Sequence, residues 1–65
     1  MILADKIIEE RKRNGWSQEE LAEKVGTKQT TVSMWETNKN LPRAATMRLL
    51  ASILGCTVDE LLGNP

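Results

Sequence analysis

The run Ser17-Gln-Glu-Glu-Leu-Ala-Glu-Lys-Val-Gly-Thr-Lys-Gln-Thr-Thr-Val-Ser-Met-Trp-Glu36 limits the possible folds of this chain more than any other stretch. Ser17 followed three residues later by Glu20 is a capping box, in which each side chain satisfies the other residue's backbone N–H at a helix start. Trp16 and Leu21 stand at the two positions of a hydrophobic staple around that start. Leu21, Ala22 and Val25 then recur at helical spacing up to Gly26, the residue type best suited to the left-handed backbone that ends a helix. A second apolar series begins at once, with Thr27 as its predicted N-cap and Val32 and Trp35 pointing inward at i, i+3. Two helices this short and this tightly joined cannot run on in line. They must fold back on each other about Gly26.

The flanking sequence is helical too. Leu3 and Ile7 stack at i, i+4, Arg11 continues their face, and this first helix is predicted to end near Asn14, with Gly15 supplying the left-handed residue. Residues 37–43, Thr-Asn-Lys-Asn-Leu-Pro-Arg, read as a loop, in which Asn38 can take positive φ where glycine would be easier. A fourth helix is predicted over about 44–54, burying Met47, Leu50, Ala51 and Leu54, with Gly55 after it. A short fifth helix repeats the earlier start signals, Thr57 with Glu60 as capping box and Cys56 with Leu61 as staple. No stretch alternates with the period of a strand. The expectation is an all-α, compact five-helix bundle, one domain over residues 1–65.

Composition excludes several functions. Sixty-five residues leave little room for a buried active site or a cofactor fold. Histidine is absent and Cys56 is the single cysteine, which removes the commonest general base, any intrachain disulfide and any cysteine-rich zinc site. The carboxylates are accounted for by caps and ion pairs, so the chain is not expected to be an enzyme and needs neither cofactor nor metal. No run approaches the roughly 18 apolar residues of a membrane span. The N-terminus lacks the basic-then-apolar layout of a secretory signal, so a cytoplasmic module is expected.

Nine basic and nine acidic residues cancel, whereas nucleic-acid binders are usually basic. Distribution matters more than the sum. From Lys24 to Arg48 the charged residues are Lys24, Lys28, Lys39, Arg43 and Arg48 against Glu36 alone, a net +4, while residues 1–23 and 49–65 carry −2 each. Positive charge therefore gathers around the tight turn and the helix after it.

With these residues laid out, the chain resembles the phage-repressor helix-turn-helix family (Cro-like, also called XRE). The resemblance covers residues 3–62 and rests on Arg11, Gly15, Ser17-Gln18-Glu19-Glu20-Leu21-Ala22, Val25-Gly26, Val32-Ser33, Trp35-Glu36, Pro42, and Leu50-Ala51 through Asp59-Glu60-Leu61-Leu62. It implies the lambda-repressor-like arrangement of five helices, with the helix-turn-helix at about 17–36. It also implies a bacterial or phage transcriptional regulator, a repressor acting on nucleoid DNA, whose third helix lies in the major groove of a palindromic operator. The family's base-reading positions correspond to Lys28, Gln29, Thr30, Ser33 and Met34. Glutamine can bond bidentately to adenine, lysine can donate to guanine, and Thr or Met methyls can meet the thymine methyl. Gln18, at the start of the second helix, is expected to meet a phosphate, as are Lys39, Asn40 and Arg43 beside the third. Arg11 and Glu36 are implied to form a structural ion pair.

Three positions depart from the family pattern. Glu10 stands where an apolar residue is usual, which either shifts the first helix or gives Glu10 a salt-bridge partner. Met34 occupies a place often polar or basic, and Arg43 a place where a small capping residue normally starts the fourth helix. One recognition helix reads few base pairs, so a homodimer on two half-sites is expected, through Val58, Leu61 and Leu62 of the fifth helix. No small-molecule ligand is expected. The alternative is a protein-interaction module or antitoxin-like partner protein that keeps the fold, motivated by the neutral charge and by Ile8, Trp16 and Met34.

Overall fold

Most helix boundaries in the computed structural model, which describes residues 2–63, trace to a particular residue. The elements are α1 (Ile2–Arg13), α2 (Gln18–Val25), α3 (Gln29–Glu36), α4 (Ala44–Leu54) and α5 (Val58–Leu62), with no strand among the described residues. α1 stops because Gly15 adopts φ +76°, which lets the N–H groups of Gly15 and Trp16 turn back onto the carbonyls of Lys12 and Arg11. Ser17 and Glu20 form the expected capping box of α2, with distances of 3.1 and 2.8 Å. Thr57 and Glu60 form the same box on α5, at 3.0 and 2.9 Å. Asn38 ends α3 in the left-handed region at φ 63°, and the Lys39 N–H returns to the Met34 carbonyl at 2.9 Å.

The start of α3 differs from the sequence expectation. The N-cap is Lys28, not Thr27, and no side chain caps it. The cause lies in the preceding turn, where the N–H groups of both Gly26 and Thr27 bond the Ala22 carbonyl, at 2.8 and 2.9 Å. Thr27 is thereby used to close α2, and the chain needs one more extended residue before α3 can begin. Gly26 sits at φ +85°, and a Cβ placed on it would meet nothing within 4 Å. Its requirement is therefore conformational, and no neighbouring group crowds it.

The core draws on all five helices: Leu3 and Ile7 of α1, Leu21 and Ala22 of α2, Val32 and Trp35 of α3, Leu50, Ala51 and Leu54 of α4, and Leu61 of α5. α3 packs on α2 and α1, while α4 and α5 close the other side against α2 and α1. Val25 and Met47, expected inside, are half-buried at the margin, as are Trp16, Ile53, Cys56 and Val58. Leu61 has no exposed surface at all. It completes this core and cannot contribute to a dimer surface as the sequence reading had it.

Two ion-pair systems hold buried carboxylates, one between α1 and α3 and one within α1. Arg11 grips Glu36 with two nitrogens, Nε to Oε2 at 2.7 Å and Nη2 to Oε1 at 3.1 Å, and donates Nη1 to the Trp16 carbonyl at 2.9 Å. The side chains are 12% and 4% exposed, so this pair is largely removed from water. Glu10, whose side chain is 3% exposed, is held by Arg13 at 3.0 Å and Lys6 at 3.6 Å. Of the two outcomes left open for Glu10, the salt-bridge partner is the one found. Cys56 faces this acidic group. Burial first, then the Glu10 and Glu60 carboxylates, pushes its thiol pKa above the ordinary cysteine value.

Removing one partner of a buried pair leaves the other charge stranded, at a cost of about 3–5 kcal/mol. A domain of this size holds about 3–10 kcal/mol in all. Glu36→Ala should therefore lower the thermal midpoint severely or abolish the cooperative melt. Gly26→Ala should cost about 1–2 kcal/mol through left-handed backbone strain alone, measured by denaturant unfolding, and Gly26→Asn less. Because its thiol pKa is raised, Cys56 should react more slowly than a free thiol with an alkylating reagent at pH 8, and its rate should rise only at higher pH.

Candidate nucleic-acid interface

α3 buries Val32, Trp35 and Glu36 and turns its opposite side outward. Among the expected base-reading residues, Lys28, Gln29 and Thr30 are exposed, while Ser33 and Met34 are half-buried. The first turn of α3 is thus its most open part, and the following turn narrows toward the body of the domain. Met34, Trp16 and Ile8, which motivated a protein-binding reading, are each half-buried and form no bare apolar patch.

Gln18 and Gln29 are the first residues of α2 and α3, and the turn about Gly26 brings these two helix starts side by side. Gln18 Nε2 donates to Glu36 Oε1 at 2.9 Å, and Gln29 Nε2 donates to Gln18 Oε1. A continuous row of hydrogen bonds therefore runs from half-buried Arg11 through buried Glu36 and then Gln18 to exposed Gln29. Sequence reading found all four residues but missed this connection. It assigned Gln18 to phosphate, Gln29 to a base and the ion pair to architecture, as three separate roles. The available signal was that both glutamines open helices joined by one tight turn.

The charges divide between paired and unpaired groups. Lys6, Arg11 and Arg13 are engaged by Glu9, Glu10 and Glu36, and the Lys24 ammonium lies 4.6 Å from the centre of the Trp16 ring. Among the described residues, exposed Lys28, Lys39 and Arg43 take part in no salt bridge, and neither do Lys12 and Arg48. Three of these five cations lie at the N-terminus of α3 or in the loop that follows it. Asn40 uses its Oδ1 to accept the Leu41 N–H at 3.0 Å, which leaves its amide NH2 outward.

Helix starts divide the same way. α2 and α5 carry capping boxes with carboxylates, while α3 and α4 have cationic N-caps, Lys28 and Arg43, without a side-chain cap. A cation at the N-terminus opposes the helix dipole, and the first-turn N–H groups keep capacity for an outside acceptor. Between these two starts lies an open groove of about 320 Å³ whose walls include Thr27, Thr31, Asn40, Arg43 and Thr46. The groove offers hydroxyl, amide and guanidinium donors to an anion. Among the described residues no group of His, Cys, Asp or Glu could hold a metal ion, and no helix is long and apolar enough to cross a membrane.

Known proteins share this fold. The profile of a family described as helix-turn-helix fits residues 7–61. The HTH-type transcriptional activator BcrR of Enterococcus faecalis is 31% identical over 60 residues, which make up 92% of this chain and 29% of BcrR. Antitoxin HipB of Escherichia coli (strain K12) is 57% identical over 28 residues, 43% of this chain and 32% of HipB. The matched segment is thus about a third of either relative. Among solved structures, the P22 c2 repressor in complex with a synthetic operator superposes with a TM-score of 0.89 at 26% identity, over 94% of this chain and 92% of that one.

Proposed function

The chain belongs to the phage-repressor-like helix-turn-helix family, and from that premise we propose that it is a sequence-specific DNA-binding transcriptional regulator that places α3 in the major groove. The observation that carries this reading is the coincidence of three features in α3 and the loop that joins it to α4. These are the open first turn of α3, the unpaired cations Lys28, Lys39 and Arg43, and the two helix starts left without a side-chain cap. Lys28, Gln29, Thr30, Ser33 and Met34 meet base edges, with Lys28, Gln29 and Thr30 foremost because they are exposed while Ser33 and Met34 are half-buried. Lys39, Asn40 and Arg43 meet phosphates and set the register. Gln18 keeps one amide N–H beyond its bond to Glu36, and that hydrogen serves the phosphate contact. The zero net charge of the chain does not oppose this role, because the acidic residues are largely spent on caps and internal pairs.

Binding of operator DNA in the cytoplasm, in competition with polymerase, gives repression. The kinship with a protein named an activator leaves room for the opposite sign at a different promoter position. The regulator works as a homodimer on a palindromic site, each copy reading one half-site about one helical turn from the other. With Leu61 spent in the core, the α5 surface left for pairing is Val58 and Leu62, the latter 42% exposed. A second reading, a protein-interaction module, is favoured by one observation. Leu41, Leu49 and Leu62 stand 60%, 43% and 42% exposed on so small a domain.

Selection from a randomised duplex library at two salt concentrations tests the proposal. Enrichment of a palindrome and a steep loss of affinity with salt are expected. Lys28→Ala with Gln29→Ala should relax the enriched sequence. Lys39→Ala or Arg43→Ala should weaken all duplexes evenly and reduce the salt slope by about one each. Absence of enrichment, with binding indifferent to Lys28→Ala plus Gln29→Ala, would favour the protein-partner reading. Sedimentation showing only monomer, both free and on the enriched duplex, would remove the dimer.

A further inference from the structure

The groove between the starts of α3 and α4 holds more hydrogen-bond donors than the fold uses. Trp35 is only 4% exposed, yet its indole N–H donates to no group among the described residues. No buried side-chain nitrogen or oxygen there lacks a partner, so this N–H lies on the small part of Trp35 that reaches the surface. Trp35 reaches that surface as a wall of the groove. The hydroxyls of Thr27, Thr31 and Thr46 line the same space on half-buried residues and are bonded to no group of the described protein. Asn40 engages its Oδ1 with the Leu41 N–H and keeps its NH2. Arg43 adds a guanidinium, and no carboxylate lines the walls.

An indole N–H, an amide NH2 and a guanidinium can only donate, and the three hydroxyls can donate as readily as accept. Such a lining fits an occupant that accepts hydrogen bonds and carries negative charge. A cation would face Arg43 with no carboxylate to hold it. At about 320 Å³ the groove lies at the lower end of small-molecule sites, and a lone inorganic anion would leave most of it to water. The remaining wall is apolar: Trp35, Pro42 and Leu41, the last 60% exposed. An apolar body attached to the anion would take that wall out of water. We propose that this groove binds a small organic carboxylate with a compact apolar body, its oxygens held by Trp35 Nε1, Arg43 and the threonine hydroxyls. Arg43 and Asn40 are also the groups assigned above to DNA phosphates, so the bound carboxylate competes with DNA for them and loosens the operator. That competition rests on the DNA-binding reading; the site itself does not. Chain length and composition lead one to expect no small ligand, whereas the unpartnered donors call for one.

The chain has two tryptophans, so a proton–nitrogen correlation spectrum carries two indole N–H signals, which Trp16→Phe tells apart. Benzoate, added at constant ionic strength, should move the Trp35 signal to saturation in the low millimolar range or below and leave the Trp16 signal in place. Benzamide, with the same ring and no charge, should move neither. Inorganic phosphate lacks the apolar body and should need roughly tenfold higher concentrations. Arg43→Ala should weaken benzoate roughly tenfold, and Thr31→Val about threefold. In a second arm, saturating benzoate should lower the affinity for duplex DNA by about tenfold relative to the same concentration of benzamide. A Trp35 signal that fails to saturate, that follows benzamide as it follows benzoate, or that answers to phosphate before benzoate would overturn the site. Saturation of that signal without any loss of DNA affinity would overturn the competition. A wild type that binds no duplex would overturn the DNA-binding reading, and the benzoate titration would still decide the site.

Discussion

The bidentate contact between Arg11 and Glu36 joins three parts of the molecule that hydrophobic packing alone would let slide. It ties α1 to α3, and through the Trp16 carbonyl it fixes the linker that leads into α2. Apolar surfaces attract without direction, so Ile7, Val32 and Trp35 could be buried at more than one angle of α3. A guanidinium fork on a carboxylate accepts only a narrow range of angles. Burying both charges is costly, and it is tolerable here because each Glu36 oxygen is occupied and Arg11 has a further acceptor. No buried side-chain polar atom among the described residues lacks a partner.

Around this pair the residues separate by task. The first turns of α2 and α5 each use one acid, Glu20 and Glu60, to satisfy their own backbone. The first turns of α3 and α4 leave that need open and hold cations beside it. A neutral chain can in this way present a locally basic side, because neutrality is reached by spending carboxylates where they serve the fold.

Local signals carried most of the architecture. The capping boxes at Ser17 and Thr57, the left-handed residues Gly15, Gly26, Asn38 and Gly55, and the bounds of α4 are all written within a few residues of where they act. The errors fall where a residue had two local uses or a distant partner. Thr27 is as good an N-cap as any threonine, but the turn after α2 claims its backbone first. Leu61 and Leu62 look equivalent in an apolar tail, and only the position of α5 against α1 makes one fully buried and the other exposed. Glu10 breaks the apolar stripe of α1, and its two cations, at i−4 and i+3, explain why the stripe survives the break. The Gln18–Gln29 bond spans eleven positions across a turn, beyond what helical spacing alone can fix.

The placement of the capping boxes has an evolutionary consequence. Ser17, Glu20, Thr57 and Glu60 secure α2 and α5 with side chains that the exposed first turn of α3 does not share. The side chains of Lys28 and Thr30 carry no capping duty, make no bond within the domain and are exposed to solvent. Replacements there leave core, caps and buried ion pair untouched, so stability places little restraint on which residues occupy them. Lineages carrying this scaffold can explore new surface chemistry at those positions while the fold stays above its stability threshold. Gln29 is less free to drift, because its partner Gln18 is bound to Glu36.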